Sequence, residues 1–302
     1  MRPMLATAGT HVPAGDQWAH EIKWDGIRIL ADSAGGAAPR LWTRNGNDAT
    51  LAWPEVALAP GRDLLADGEL IAFNERGRPD FRELAERMHV RDARRVARHA
   101  ERTPATYLVF DVLRLDGRDL MGLPWQERRA VLEGLELGPW QIPDVYDDGP
   151  MLHRLTREQG LEGIVSKLRT SRYRPGVRSR DWRKFPHRTL GSYVVGGWRP
   201  QVGTTDRLAA VLVGERTPDG LAYRGRVGSG IGARESRLLR ELLEPATASP
   251  FADEVPREDA SGTHWVEPLV VVDVETHGVG YDRLRQPAFV GVRADLTPEE
   301  LP

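Results

Sequence analysis

The sequence predicts an α+β chain of two domains, a larger one mixing strands and helices and a smaller β-barrel after it. Three observations predict this. Through the first 185 or so residues, runs of period-two alternation and continuous apolar runs give way repeatedly to segments with helical spacing. Past Pro186 the pattern becomes short strands separated by turn residues, with one helix. The 302 residues, 40% of them apolar, suffice for one large core or two ordinary ones.

In chain order, residues 18–30 and 39–44 alternate as strands, and Asp67–Phe73 reads as a strand entered from a tight turn. Asp80 to Arg102 has helical spacing, with Phe81, Leu84, Met88 and Val96 expected inward. Tyr107–Leu113 is apolar enough for a buried strand, with Phe110 expected at its end, just before Asp111. Helices are expected over 124–135 and Met151–Gln159, the second stopped by Gly160 and followed by a strand. The later strands are Ser192–Gly197, Leu208–Gly214, Leu221–Val227 and Trp265–Glu275, with a helix at Ala233–Glu244 and a loose loop at Ala246–Ala260. Short strands with one helix suit a small barrel such as an OB fold. The boundary falls near residues 186–191, and no internal repeat is present.

Composition removes several function classes. The chain has no cysteine, which excludes disulfides, thiolate zinc sites and cysteine nucleophiles together. No stretch approaches the roughly 18 to 20 apolar residues of a spanning helix, and Met1–Ala6 lacks a signal-peptide apolar region, so a cytoplasmic protein is expected. No serine or histidine arrangement resembles a hydrolase elbow or a metalloprotease helix. A net charge of -2 puts any contact with a polyanion on local patches. One such patch runs from Lys167 to Arg188, where Arg169, Arg172, Arg174 and Arg178 stand among tyrosine, tryptophan and phenylalanine with Asp181 as the single acid. Basic runs are commonly solvated faces, but this interleaving suits a phosphate-tracking surface.

Lysine is the most informative residue type. Only Lys23, Lys167 and Lys184 occur among 42 basic residues. Arginine stays protonated and cannot act as a nucleophile, whereas a desolvated lysine can. A codon bias toward arginine would leave survivors in polar, solvent-facing stretches, yet each of these lies in a short apolar, strand-like run. Glu69 and Glu162 each begin or flank such a run, where carboxylates can hold a magnesium ion that keeps its other positions for water and phosphate. Taken singly, either glutamate reads equally as a solvated strand end. The glycine-rich Arg224–Gly232 is neither a Walker loop nor a dinucleotide fingerprint and reads as a tight turn or a close backbone approach to DNA.

These motifs, in order, resemble the covalent nucleotidyltransferases and, within them, the ATP-dependent DNA ligases. They are Lys23-Trp24-Asp25-Gly26 followed by Arg28, Thr43-Arg44-Asn45-Gly46, Asp67-Gly68-Glu69, Val109-Phe110-Asp111, Glu162-Gly163-Ile164-Val165-Ser166-Lys167 and Trp182-Arg183-Lys184. Gly196-Gly197-Trp198, Gly225-Arg226-Val227-Gly228-Ser229-Gly230 and Leu284–Arg293 are similar to the OB domain of bacterial end-joining ligases, so the resemblance covers essentially the whole chain.

The resemblance implies an adenylation (nucleotidyltransferase) domain at 1–188, built of antiparallel sheets with flanking helices, and an OB-fold domain at 189–302. It implies that Lys23 attacks the α-phosphate of ATP, that AMP passes to a 5′-phosphate and that a 3′-hydroxyl displaces it. Glu21 would read the adenine amino group and Phe110 stack on the base, while Arg28 and Arg44 contact ribose and phosphates. Glu69 would touch ribose or metal, Glu162 would bind metal, and Lys167 and Lys184 would grip the α-phosphate. Arg293, in the last motif, would orient the departing pyrophosphate, and Arg169, Arg172, Arg174 and Arg178 would meet DNA. The implied cofactors are ATP and Mg2+ or Mn2+. The implied partners are nicked or broken duplex DNA and repair or end-joining proteins, for a monomer at the nucleoid with no membrane contact.

The sequence departs from the family pattern twice. The second lysine of the fifth motif is Pro186, with Arg183, His187 and Arg188 as candidate substitutes, and the lysine ending the last motif is Leu296. Both bear on self-adenylation. An RNA ligase of the same superfamily, or a DNA-end-binding scaffold that has lost self-adenylation, are the alternative readings. A capping enzyme fits Glu21 poorly, and an NAD-dependent ligase would carry a cysteine zinc module.

Overall fold

The computed structural model describes residues 1–301 except 58–60, 75, 76, 78, 86, 89, 91, 206 and 278–281. The chain divides into two compact units, Met1–Pro186 and His187–Pro302.

The first unit contains strands β1 (Leu5–Ala8), β2 (Trp18–Ile22), β3 (Ile27–Ser33), β4 (Arg40–Thr43), β5 (Leu64–Ile71), β6 (Thr106–Leu115), β7 (Arg118–Asp119), β8 (Gly163–Leu168) and β9 (Arg178–Pro186). Its helices are α1 (Arg82–Ala85), α2 (Ala93–Arg102), α3 (Trp125–Glu133) and α4 (Gly149–Glu158). The strands form two sheets, β4-β3-β5-β6-β7 and β1-β9-β8-β2, in which only the β1–β9 pairing is parallel.

The alternating run expected over 18–30 is two strands in different sheets. The chain leaves β2, crosses at residues 23–26 and enters β3. Gly26 makes the crossing tight, since a Cβ there would lie 2.0 Å from the Leu70 carbonyl oxygen. The lysine motif therefore sits where the chain passes from one sheet to the other.

Apolar side chains cover both sheets. Ile29, Leu41, Trp53, Leu70, Tyr107, Val109, Leu132 and Trp140 form the main core against the five-stranded sheet. A second cluster, with Met4, Ala19, Leu30, Leu113, Trp125, Tyr173 and Trp182, joins residues of both sheets. Leu152 of α4 packs on Ile164 and Phe185.

Four sequence expectations for this unit need correction. The segment from Asp80 to Arg102 contains two helices rather than one, because Asp92 caps a new start by accepting the Arg95 amide at 2.8 Å. Leu84 and Val96 are buried as anticipated, but Met88 is exposed. Strand β5 begins at Leu64, so Asp67 and Gly68 lie inside the strand and Glu69 is not at its start. Phe110 stands in the middle of β6, not at its end.

The second unit contains β10 (Arg188–Pro200), β11 (Leu208–Thr217), β12 (Gly220–Val227), β13 (His264–Trp265), β14 (Val271–His277) and β15 (Ala288–Val292), with α5 (Ala233–Leu242) and α6 (Arg257–Ala260). They pair in the order β12-β11-β10-β14-β15, with β13 also on β10. The sheet curls until its ends meet, where Ser229 bridges Ala288 and the Phe289 amide donates to the Ser229 carbonyl at 2.8 Å. Val195, Trp198, Val211, Val213, Val227, Leu239, Val272, Val274 and Phe289 fill the interior. The single strand anticipated over Trp265–Glu275 is split into β13 and β14, and the supposed loop 246–260 ends in α6. The glycine-rich segment supplies the end of β12 and the turn into α5.

Candidate active site

Lys23 follows β2 directly. Its amide donates to the Gly163 carbonyl at 2.9 Å, and its Nζ lies 2.6 Å from Glu162 Oε1, with both side chains mostly buried. Glu162 precedes Gly163, the first residue of β8, whose φ of +139° and a notional Cβ only 2.3 Å from the Phe185 carbonyl oxygen admit no side chain. These backbone constraints hold amine and carboxylate together at the crossing between the sheets. Of the three lysines, Lys167 lies in β8 and Lys184 in β9, while Lys23 lies just beyond a strand.

Glu69 of β5 belongs to the same electrostatic group. Burial pushes its carboxyl up to about 8; Lys23 and Arg28 oppose the rise, while Glu162 and Asp67 add to it. Glu69 and Glu162 thus repel one another, with Lys23 attracting both. Relief by a cation fits the one or two carboxylates that magnesium usually takes from a protein. Among the described residues no group of three or more His, Cys, Asp or Glu could hold a metal, so these two would leave most positions to phosphate and water. Lys184 is half-buried, and its amine is held below the usual lysine range by burial, then by Lys23, with Arg178 and Arg44 adding and Glu162 opposing. Arg44 is exposed in the turn after β4, which closes through the Gly46 amide on the Thr43 carbonyl at 2.8 Å.

Arg28 projects from β3 and grips Asp67 through two hydrogen bonds of 2.7 Å, and donates to the Met4 carbonyl at 3.0 Å. The Tyr173 hydroxyl donates to Asp67 at 2.6 Å and accepts the Met4 amide at 3.0 Å. One guanidinium nitrogen, NH1, stays outside these bonds. Arg28 also lies 4.9 Å from the Phe110 ring centroid.

Phe110 owes its position to a bulge. Asp67 pairs with Asp111 and Gly68 with Val109, so Phe110 is the extra residue of β6 and its ring is re-aimed. On its other contact lies Lys167, whose Nζ is 4.3 Å from the Phe110 centroid and 4.4 Å from that of Trp182. Lys167, expected among the phosphate-gripping lysines, lies enclosed in the interior. It is 1% exposed and contacts Glu21 Oε1 at 2.8 Å. Burial lowers the Lys167 amine against the opposing pull of Glu21. Glu21, Lys167 and Phe110 therefore form one cluster, and Lys23, Glu69, Glu162 and Lys184 another.

The basic run is less free than its composition suggests. Arg169 pairs with Asp147 and donates to the Asp16 carbonyl, and Arg174 pairs with Asp181 at 2.7 Å. The run's acid count missed Asp147, which is distant in sequence. Arg172 is exposed, and Arg178, also exposed, donates to the Ala6 carbonyl at 2.7 Å. In the second unit, Arg293 pairs with Asp295 at 2.8 Å and with Asp273 at 3.4 Å.

Sequence reasoning missed two supports. Tyr173 ties the N-terminal strand to Asp67, a link between distant residues with no local signature. Asp111 and Arg128 form a fully buried pair with hydrogen bonds of 2.8 and 2.7 Å. The signal for that pair was available, because an acid inside an apolar strand run requires a partner.

Residues 3–185 match the family model described as ATP dependent DNA ligase domain, and residues 204–296 match the ATP dependent DNA ligase C terminal region. The multifunctional non-homologous end joining DNA repair protein LigD of Mycobacterium tuberculosis is 36% identical over 312 residues, covering 100% of this chain and 39% of the relative. The corresponding LigD protein of Pseudomonas aeruginosa is 34% identical, with 99% of this chain and 36% of the relative covered. The chain thus spans about two fifths of the length of these relatives. Among solved structures, the ligase domain of M. tuberculosis LigD is 35% identical and superposes with a TM-score of 0.57 over 100% of this chain and 97% of that one. A Lig E DNA ligase, at 18% identity and a TM-score of 0.63, shares the fold.

Proposed function

The chain belongs to the ATP-dependent DNA ligases, and from that premise we propose that it seals 5′-phosphate/3′-hydroxyl nicks or ends in duplex DNA through AMP carried on Lys23. The observation that carries the proposal is the Lys23 amine at the crossing of two sheets, 2.6 Å from Glu162. In the first step the neutral amine attacks the α-phosphorus of ATP. An N–P bond forms, the bond to the bridging oxygen of the β-phosphate breaks, pyrophosphate leaves, and the amine's proton passes to water. An oxygen of the nick's 5′-phosphate then displaces Lys23 from the AMP phosphorus. Finally the 3′-hydroxyl attacks the 5′-phosphorus, and AMP leaves.

Each cluster takes one side of the nucleotide. Lys23 is held beside Glu162, and the charge of Lys184 acts in the same place. Lys184 would hold the α-phosphate, with Arg44 on the outer phosphates. A magnesium or manganese ion, if held by Glu69 and Glu162, would offset charge on the phosphate oxygens. Glu21 and Phe110 would meet the adenine. Lys167, paired with Glu21 beneath Phe110, fits the base side better than the α-phosphate. Arg28, braced by Asp67 and Tyr173, would offer NH1 to the ribose side.

The test is a singly nicked DNA duplex incubated with the protein, magnesium and ATP. Joining on a denaturing gel with ATP, and none with NAD+ or GTP, is expected; no joining with ATP overturns the proposal. A nick with a ribonucleotide 3′ strand should seal less well, and preference for it would favour the RNA-ligase reading. Given the end-joining proteins among its relatives, broken ends are the natural context for this activity.

Two further outcomes are expected. Alanine at Glu69 or at Glu162 should cut sealing by orders of magnitude at fixed metal, since a hard cation with few protein contacts loses one of them. Wild-type sealing by both variants across a magnesium titration would remove the carboxylates from the mechanism. Arg293→Ala should slow self-adenylation and hardly affect sealing of a pre-adenylated nick. Neutralising Arg172 and Arg174 together should weaken DNA binding, with a shallower salt dependence, and leave self-adenylation in place. If both proteins lost both steps equally, this division of labour would be wrong.

A further inference from the structure

Pro186 leaves the phosphate side one cation short of the family pattern, and the basic residues beside it are occupied elsewhere. Arg183 lies 4.7 Å from the Trp18 ring centroid and donates to the Arg180 carbonyl at 3.1 Å. Arg188 pairs with Glu275 at 3.1 Å within the second unit, where His187 also belongs. A substitute must come from another direction.

Strand register supplies one. On β1, Leu5 and Ala8 are three residues apart, yet they pair with Arg178 and Lys184, six apart on β9. The excess is Arg180-Asp181-Trp182, which β1 skips between Ser179, paired with Ala6, and Arg183, paired with Thr7, while Trp182 keeps its pairing with Lys167 of β8. At about 3.3 Å per residue, the bulge brings the Arg178 backbone to about 10 Å from that of Lys184, where a regular strand would hold them about 20 Å apart. Arg178 then leans along β1, because its NH1 donates to the carbonyl of Ala6, between Leu5 and Ala8. The field of its charge reaches the Lys184 amine, which Arg178 helps to hold below the usual lysine range after burial and Lys23.

We propose that Arg178 supplies the second phosphate-directed cation that Pro186 lacks, and that it acts on ATP during self-adenylation and not only on DNA. This rests on Lys23 as the adenylate carrier. In that step the Lys23–phosphorus bond forms as the bond to the pyrophosphate oxygen breaks, and Arg178 offsets the charge gathering on the phosphate oxygens without transferring a proton.

The experiment measures the rate of lysyl-AMP formation with ATP and magnesium, without DNA, for wild type, Arg178→Gln, Pro186→Lys, the double variant, Arg180→Ala and Lys23→Ala. Glutamine removes the charge and keeps an amide donor on a shorter stem, so Arg178→Lys serves beside it as the charge-keeping control. Arg178→Gln should be slower by about 100-fold, the scale of one lost oxyanion partner. The double variant should return to within a few-fold of wild type, because a lysine at 186 restores the missing charge. Arg180→Ala should match wild type. A wild-type rate for Arg178→Gln, an equal loss in Arg180→Ala, or a double variant as slow as Arg178→Gln while Pro186→Lys alone adenylates normally would each overturn the proposal. If Pro186→Lys is itself inactive, Arg178→Lys decides: a rate near that of wild type supports a charge role, and a rate as low as that of glutamine overturns it. An adduct that persists in Lys23→Ala would instead overturn the ligase chemistry on which the proposal rests.

Discussion

With Lys23 replaced by alanine, sealing of a nick from ATP should fall to background, while sealing of a nick already carrying AMP on its 5′-phosphate should persist. The first reaction needs an amine to hold AMP; the last joins a 3′-hydroxyl to a 5′-phosphate and makes or breaks no bond to Lys23. Lys23→Arg should fail as completely as alanine, because a guanidinium keeps its proton at any working pH. That comparison separates nucleophile from counter-charge, since arginine can still pair with Glu162. Sealing from ATP by Lys23→Arg at even a tenth of the wild-type rate would show that Lys23 serves only as a charge.

Arg128→Ala should destabilise the first unit by about 3–5 kcal/mol, the usual result of stripping one partner from a buried ion pair. Arg128 and Asp111 are both 0% exposed, and the guanidinium also donates to the carbonyls of Leu123 at 2.7 Å and Ser171 at 3.1 Å. Alanine leaves Asp111 buried without its partner inside an apolar strand, and takes one donor each from the carbonyls of Leu123 and Ser171, the second of which keeps the Trp125 amide. At roughly 2–4 °C per kcal/mol for a unit of this size, the melting temperature should drop by on the order of 10 °C. Replacing Arg128 by methionine and Asp111 by leucine together should recover much of the loss, since no charge then remains to be desolvated. A shift of only a degree or two in Arg128→Ala would mean that water reaches the pair.

The lysine motif, the carboxylates and the change of pattern after Pro186 were legible because each is local: a spacing, a glycine, an acid ending an apolar run. What stayed hidden depends on register. Phe110 was placed at a strand end, yet it is the extra residue of a bulge, and nothing within Val109-Phe110-Asp111 reveals which residue the opposing strand skips. The reach of Arg178 toward Lys184 has the same origin, in a pairing between β1 and β9 across more than 170 positions. The surroundings of Lys167 were hidden too, since the three aromatic rings and Glu21 that enclose it come from β2, β6, α3 and β9. The helix expected from Asp80 to Arg102 failed for a local reason that could have been read, since Asp92 is a good N-cap in the middle of the run.

The central claim is that AMP is carried on Lys23, and intact-mass spectrometry tests it most directly. The protein is incubated with ATP and magnesium, its mass is measured, and the modified peptide is sequenced. The account predicts a gain of one AMP on Lys23, lost on addition of pyrophosphate or nicked DNA and absent from Lys23→Ala. No adduct in the wild type, or an adduct of the same mass in Lys23→Ala, would contradict it.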